Sequence, residues 1–327
     1  MHILIVHDGI IPVSRYGGTE RVIWYLGKEL ARMGHRVSYL VRKGSSCDFG
    51  TVHWLDPSRA LSDQLPCEAD VVHFQNAPPR TPVPAPYIVT VHGNAAGKTE
   101  YDANTVFVSQ NHAARNGSRS YVYNGLDWDD YGSPDWHAPR RYAHFLGDAA
   151  WKVKNLRGAI RVVTSVPGER LAVLGGYRVN IRMGFRVTLH PRVTFCGMVG
   201  GERKLALLRH SKALLFPVRW HEPFGLALVE SLYFGAPVLG TPHGSLPEIV
   251  LPEVGCLSTQ SSVLTQALKD IGQYSPRRCH EYARDCFNAR RMAEEYVKKY
   301  LTVADGKPLN ERPPQGPEPT AKLLDWE

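Results

Sequence analysis

Leu214-Leu215-Phe216-Pro217 is followed by Trp220-His221-Glu222-Pro223-Phe224-Gly225-Leu226-Ala227-Leu228-Val229-Glu230, then by Gly235-Ala236-Pro237-Val238-Leu239-Gly240-Thr241. The apolar run ending at Pro217 reads as a buried parallel strand. Leu226 to Phe234 reads as a helix, opened by Gly225 and stopped by Gly235-Ala236-Pro237. Pro237 to Gly240 reads as the next strand. Glu222 then lies in the loop before the helix and Glu230 inside it. Eight helical steps would turn the two acids about 80° apart, but the loop breaks that count and lets both face one ligand. Between them the helix start offers unpaired N–H groups and the positive end of a dipole, an anion site. An anion flanked by two hydroxyl-binding carboxylates describes a sugar nucleotide.

Outward from this stretch the same grammar repeats. Ile3–Val6 is a strand, Gly17-Gly18-Thr19-Glu20-Arg21 opens a helix that runs to about Met33, and His35–Val41 is the next strand. Strand, glycine turn, helix, strand begins a doubly wound α/β domain. Val71–Phe74, Tyr87–Val91 and Thr105–Val108 add short apolar runs typical of parallel strands. His92-Gly93 follows one of them directly, at the strand end where open α/β sheets place ligands. Asn124-Gly125 supplies turn residues tolerant of positive φ. Arg141–Leu146, Arg170–Leu174 and Val193–Gly197 begin a second series. The helix from about Ala283 sets Phe287, Met292, Tyr296 and Tyr300 near one face, a packing stripe.

Glu-x7-Glu within Glu-Pro-Phe-Gly-Leu, followed by Gly-x-Pro-Val and Pro247-Glu248-Ile249-Val250, resembles the donor site of the family 4 retaining glycosyltransferases of the GT-B fold (group 1). The likeness covers nearly residues 1–300 and is densest from 190 to 256. It implies two facing Rossmann-like domains, with a C-terminal helix crossing back to the first. The expected divisions are an acceptor domain at 1–138, a donor domain at 139–284, the crossover helix at 285–302 and a disordered tail at 303–327. By resemblance Glu222 contacts the donor sugar, Glu230 holds the ribose, and the Phe224-Gly225-Leu226 backbone holds the diphosphate. The Gly17-Gly18 turn matches a Gly-Gly-x-Glu turn found between the family's domains, and His92 matches the His of Thr-x-His near the reacting sugar. Lys154, seven residues after Gly147, falls where the family places a diphosphate-binding Lys. The expected catalytic set is therefore His92, Lys154 and Glu222. Asp148 departs from the pattern, because it stands where the family usually has a second phosphate-binding cation. Lys152 and Arg219 are candidates to replace it.

The resemblance implies transfer of a hexosyl unit from a nucleotide-diphosphate sugar to a glycan, lipid-linked or small-molecule hydroxyl, as in polysaccharide biosynthesis, with retention and without metal. Two readings compete: a nucleotide-sugar epimerase of the same fold, and a non-catalytic sugar-nucleotide-binding homologue. No cofactor is expected. Asp127-Trp128-Asp129 spells D-x-D, but no further carboxylate clearly joins it, so no metal site is expected. The formal charge of +8 divides as −1 over residues 1–140 (13 basic against 14 acidic), +11 over 141–302 (23 against 12) and −2 over 303–327 (3 against 5). Basic charge gathered beside the donor-like motif fits a phosphate-bearing ligand. No nucleic-acid motif accompanies it. The near-neutral first half predicts at most weak peripheral membrane contact. Met1–Val6 reads as a strand rather than a leader, giving a cytoplasmic expectation. The six cysteines, in no C-x-x-C spacing, read as buried thiols.

Overall fold

The computed structural model describes residues 1–13, 17–66, 68–181, 185–317 and 323–327. Cys67 lies outside them. The chain divides into two units: described residues 1–13, 17–128 and 287–317 belong to one, and 129–286 with 323–327 to the other.

The first unit begins with β1 (His2–Val6), α1 (Gly18–Arg32), β2 (Arg36–Val41), β3 (Thr51–Trp54), β4 (Val71–Phe74), β5 (Tyr87–Val91), β6 (Thr105–Phe107) and α2 (Gln110–Arg115). Its strands pair in the order β3-β2-β1-β4-β5-β6, all parallel. The order reverses direction between β1 and β4, so the C-terminal ends of these two strands form a switch point. Ile3, Leu4, Ile5, Val71 and Val72 are fully buried, as continuous apolar strands covered on both faces must be.

The second unit holds β7 (Tyr142–Leu146), α3 (Leu156–Thr164), β8 (Leu171–Leu174), β9 (Val179–Asn180), β10 (Arg186–Val187), β11 (Val193–Phe195), α4 (Gly201–Arg209), β12 (Ser211–Phe216), α5 (Leu226–Tyr233), β13 (Val238–Gly240), α6 (Leu246–Ile249), β14 (Gly255–Leu257), α7 (Ser261–Lys269) and α8 (Pro276–Cys286). Its main sheet has the order β11-β8-β7-β12-β13-β14, again parallel. A separate antiparallel pair, β9 and β10, was not foreseen from the sequence. The core under α3 and α7 is built from Phe145, Leu156, Val163, Val173 and Leu215.

The last helix, α9 (Ala289–Ala304), packs on α1, β4 and β5 of the first unit. Met292, Tyr296 and Tyr300 of the expected stripe are buried on it, whereas Phe287, also buried, lies in the break between α8 and α9, so the single helix expected from about Ala283 is two. Two of these tyrosines also end a buried polar chain. His73 Nδ1 meets the Tyr300 hydroxyl at 2.8 Å, His73 Nε2 meets Thr90 Oγ1 at 2.7 Å, and Thr90 meets the Tyr296 hydroxyl at 2.9 Å. Each buried polar atom is satisfied within the chain, so dry burial costs little.

Gly125 corrects one turn assignment. It is absent from the glycines of positive φ. A Cβ there would stand 2.2 Å from the Asn288 carbonyl. The glycine serves the close approach of Leu126 to Asn288, which pair as a parallel bridge.

The tail is a second correction. The Tyr101 N–H donates to the Pro314 carbonyl, and Asn310 Nδ2 to the carbonyls of Ala103 and Thr105, all in the first unit. Residues 323–327 bond to the second unit: the Leu324 N–H to Arg219, the Glu327 N–H to Thr259, and the Ser261 N–H back to Glu327. Trp326 packs against the α3–α7 core. A composition rich in Pro and polar residues suggested disorder, but these backbone bonds and one tryptophan hold the described segments.

Candidate active site

In the second unit β12 delivers the chain to Pro217 and the loop that carries Glu222. The Glu222 carbonyl accepts from the Ser245 N–H at 2.9 Å, and Glu222 bridges to Gly244. Gly244 has φ +68°, and a Cβ there would meet the Glu222 nitrogen at 2.2 Å. Only glycine permits this approach. Gly225 caps α5 at φ +83°, and its absent Cβ leaves room for Glu222 Cγ and Leu228. Phe224 is buried, its carbonyl taking the Ser245 hydroxyl at 2.8 Å. The first N–H groups of α5 have no carbonyl one turn back.

Each acid of the Glu-x7-Glu motif is paired with a lysine. Glu222 Oε2 accepts from Lys154 Nζ at 2.6 Å and from the Trp220 indole at 2.8 Å. Lys154 Nζ also stands over the Phe216 and Trp220 rings, at 5.1 and 4.9 Å from their centroids. Glu230 Oε1 accepts from Lys204 Nζ and from the Tyr131 hydroxyl, both at 2.6 Å. Lys204 and Tyr131 were missed by sequence reasoning. Their one signal was a lysine on the buried stripe of α4, beside Leu205 and four residues before Leu208.

Lys154 lies just before α3 rather than in its first turn. It ends a 3-10 turn (Lys152–Lys154), and Asn155 follows in the left-handed region at φ 54°, capping α3 through its side chain on the Gly158 N–H. The helix dipole therefore bears on Asn155, and Glu222 supplies the countercharge for Lys154. Asp148 has a local explanation: its Oδ1 accepts from the Ala150 N–H at 2.9 Å, closing the loop after β7. Its charge also faces Arg186, where it opposes the lowering of the guanidinium pKa by burial and by Arg157. Of the two replacement cations, Arg219 Nε donates to the Leu324 carbonyl at 2.7 Å, and Lys152 is exposed.

In the first unit, His92 follows β5. Its Nε2 meets Gln75 Oε1 at 2.7 Å. Burial, then His7 and His112, lower its pKa to about 3, so the ring is neutral. Gln75 and His7 follow β4 and β1, so the three side chains gather at neighbouring strand ends. The Gln75 Nε2 and both His7 ring nitrogens are buried without a hydrogen-bond partner. His7 Nε2 stands 4.0 Å from Glu20 of the glycine turn. Gly17 caps α1 with extended backbone, and Gly18 begins the helix. Asp127 of the D-x-D triplet is held by Lys28 at 2.7 Å and Arg32 at 3.1 Å. Among the described residues, no group of three or more His, Cys, Asp or Glu is placed to hold a metal ion. No helix of those residues is long and apolar enough to cross a membrane. Of the described cysteines Cys279 is buried, as expected, while Cys47, Cys196, Cys256 and Cys286 are only partly buried.

Residues 140–272 match the family model described as glycosyl transferases group 1. The chain is 27% identical over 165 residues to the N-acetyl-alpha-D-glucosaminyl L-malate synthase of Bacillus anthracis, covering 46% of this chain and 42% of that protein. It is 26% identical over 115 residues to an uncharacterized 41.2 kDa protein in the cps region of Klebsiella pneumoniae, covering 33% and 32%. Both matches span less than half of the relative's length. Among solved structures, AviGT4, a glycosyltransferase involved in avilamycin A biosynthesis, aligns with TM-score 0.75 at 22% identity over 93% of this chain and 98% of its own. Anabaena HepE in complex with UDP and glucose aligns with TM-score 0.62 at 15% identity over 92% and 99%. These structural likenesses speak for the fold, and the family model speaks for the second unit. Residues 140–272 thus resemble the group 1 glycosyltransferases, and the chain has the GT-B fold.

Proposed function

We propose that the chain is a retaining, metal-independent glycosyltransferase that moves a hexosyl unit from a nucleotide-diphosphate sugar to a hydroxyl acceptor. The observation that supports this reading is that Glu222, in the loop before α5, and Glu230, on α5, are both buried and each held by its own lysine. Glu230, held by Lys204 and Tyr131, presents a carboxylate oxygen to the ribose hydroxyls. The N–H groups of Phe224, Gly225 and Leu226 take the diphosphate. Glu222 takes the sugar hydroxyls. Donor binding places phosphate beside Lys154, which then shares its charge between Glu222 and the leaving group. In a same-face displacement the departing diphosphate oxygen accepts the proton of the acceptor hydroxyl. Lys154 and the helix start stabilise the charge that grows there, the largest kind of catalytic contribution a fixed site makes.

The first unit is assigned to the acceptor. His92, neutral and held by Gln75, offers a ring nitrogen to a hydroxyl rather than a charge. The unpartnered Gln75 Nε2 and His7 ring add a donor and an acceptor beside it. UDP binding by HepE supports a nucleoside diphosphate leaving group, and a carbohydrate or lipid-linked alcohol is the acceptor class.

The test uses the full chain with a panel of nucleotide sugars and hydroxyl acceptors. The products are a free nucleoside diphosphate and a glycoside whose anomeric signal by NMR matches that of the donor. Inversion of that signal contradicts the mechanism. Conversion of donor alone into another sugar nucleotide supports the epimerase instead. Lys154→Ala lowers the turnover number by about 100-fold or more, with a smaller change in donor affinity.

A further inference from the structure

His7 is 6% exposed, and neither of its ring nitrogens has a hydrogen-bond partner. The Asp8 and Glu20 carboxylates stand 3.7 and 4.0 Å away, beyond hydrogen-bond range. Burial lowers the pKa of the ring, so at neutral pH it is uncharged, with one donor and one acceptor nitrogen. Buried polar groups are normally paired, and an orphaned one marks a place where something else binds. The backbone fixes the ring there. The His7 N–H donates to the Leu40 carbonyl at 3.0 Å, and a Cβ on Gly9 would stand 2.3 Å from His7 Nε2.

His7 also forms part of the wall of a hollow of about 320 Å³ at the C-terminal ends of β1 to β4, where the strand order reverses. Its apolar lining is Val6, Leu55, Pro57, Leu61, Phe74 and Ala77. Val6 and Phe74 belong to the buried core of this unit, and Leu55 and Leu61 pack against it, so the hollow is a dent in the end of that core. The polar groups of the wall after β3 are occupied. Gln64 Oε1 accepts from the Asp56 N–H at 2.8 Å, and Gln64 Nε2 donates to the carbonyls of Asp56, Arg59 and Ala60 at 3.0, 3.1 and 3.3 Å. Asp56 Oδ1 accepts from the Ser58 N–H at 2.9 Å and from the Ser58 hydroxyl at 2.6 Å. Arg59 Nη2 donates to the Asp63 carbonyl at 2.9 Å. Around the mouth the exposed Asp8 and Asp56 balance the exposed Arg42 and Arg59, so the charge selects no ion.

We infer that this hollow takes the compact apolar body of the acceptor, a neutral alcohol of one or two rings, and that its hydroxyl meets the unpartnered His7 ring. The inference rests on the assignment of the first unit to the acceptor. A cavity of about 150 Å³ holds one benzene ring, so about 320 Å³ has room for two. A bare sugar would set hydroxyl groups against Val6, Leu55 and Phe74, where they lose water and gain no partner. A ring system removes apolar surface from water on both sides of the contact. His7 joins the hollow to the His92–Gln75 pair. It follows β1 as Gln75 follows β4 and His92 follows β5, and it stands close enough to help lower the His92 pKa. The body of the acceptor then sits over β1 to β4, with its hydroxyl toward the histidines.

The experiment is calorimetric titration of the full chain, without donor, with 2-naphthylmethanol and with methyl β-D-glucopyranoside. The naphthyl alcohol binds saturably at one site per chain, and the methyl glycoside binds about tenfold more weakly or less. Ala77→Trp fills the hollow from its rim, and Pro57→Asp puts a charge on its wall. Each weakens the naphthyl alcohol by about tenfold or more. Both positions are exposed, so both variants unfold near the wild-type temperature, which is measured alongside. With nucleotide sugars supplied, the naphthyl alcohol is glycosylated with a higher kcat/KM than the methyl glycoside, and Ala77→Trp narrows that preference. Absence of saturable binding overturns the inference, as does undiminished binding by both variants. Transfer to the methyl glycoside without binding of the naphthyl alcohol overturns it and leaves the transferase reading standing. Preference for a long-chain alcohol overturns the compact body in favour of a lipid chain. Saturable binding of the naphthyl alcohol, lost in the variants but with no transfer from any nucleotide sugar, overturns the acceptor role and the transferase reading together.

Discussion

Replacing Glu230 with alanine strips the countercharge from Lys204. The two side chains are 9% exposed at the lysine and 3% at the glutamate, with 2.6 Å between charged atoms. Tyr131 also loses the acceptor it meets at 2.6 Å. Breaking a buried pair from one side costs about 3–5 kcal/mol, because the remaining charge stays out of water. For a unit of this size each kcal/mol is worth about 2–4 °C, so Tm falls by about 6–20 °C. Removing both charges together, with Glu230→Leu and Lys204→Met, recovers most of that loss, since a buried pair is roughly neutral against apolar residues of similar volume. The assay is thermal and urea unfolding of wild type, both single variants and the double, read as a double-mutant cycle. A single variant within about 1 kcal/mol of wild type would show that water reaches Lys204 and that the dry pair described above is wrong. Donor affinity of Glu230→Ala is to be measured well below its own transition, so that lost ribose contact is not confused with lost fold.

Other perturbations follow from the same structure. Burial lowers His92 and His144 to about 3 and His112 to about 4, and His73 well below its ordinary value. Below pH about 6.5 the unfolded chain takes up these protons first, so stability present above that pH is lost as pH falls toward 3. Urea midpoints at neutral and mildly acidic pH check this, and equal midpoints would contradict it. Trp326→Ala, or removal of residues 323–327, lowers the unfolding temperature of the second unit, because the indole packs on the α3–α7 core beside Gly158; an unchanged transition would show that the tail contributes nothing. Transfer activity survives a chelator, and its abolition followed by recovery with manganese would refute the metal-independent mechanism.

Ten of the twelve parallel strands and α5 were legible because their signals are local: apolar runs, a glycine at the helix start, and Gly235-Ala236-Pro237 at its end; the edge strands β3 and β14 were not read. The stripe of α9 was legible by its period. What the sequence concealed depends on contacts distant along the chain. Lys204 and Tyr131 reach Glu230 from 26 and 99 residues away, and no spacing rule links them. Lys154 was correctly placed near the start of α3, but the left-handed Asn155 that separates it from the helix rests on a side-chain cap and on Asn155 Nδ2 donating to the Pro217 carbonyl at 2.9 Å. Asp148 looked like a misplaced charge because the loop N–H it caps is invisible to a motif. The β9–β10 hairpin is too short for a periodic signal, with two residues in each strand. The tail was misjudged because proline-rich composition says little about a segment held by backbone bonds to a preformed surface.

The central claim is that one donor molecule spans Glu222 and Glu230. Calorimetric titration of wild type, Glu222→Ala and Glu230→Ala with nucleoside diphosphates and with the matching nucleotide sugars tests it most directly. Wild type binds both ligands of one base. Glu222→Ala keeps the bare nucleoside diphosphate and loses the added affinity of the sugar, whereas Glu230→Ala weakens both. Equal losses of bare nucleoside diphosphate in the two variants, or no binding of any nucleoside diphosphate by wild type, would contradict the account.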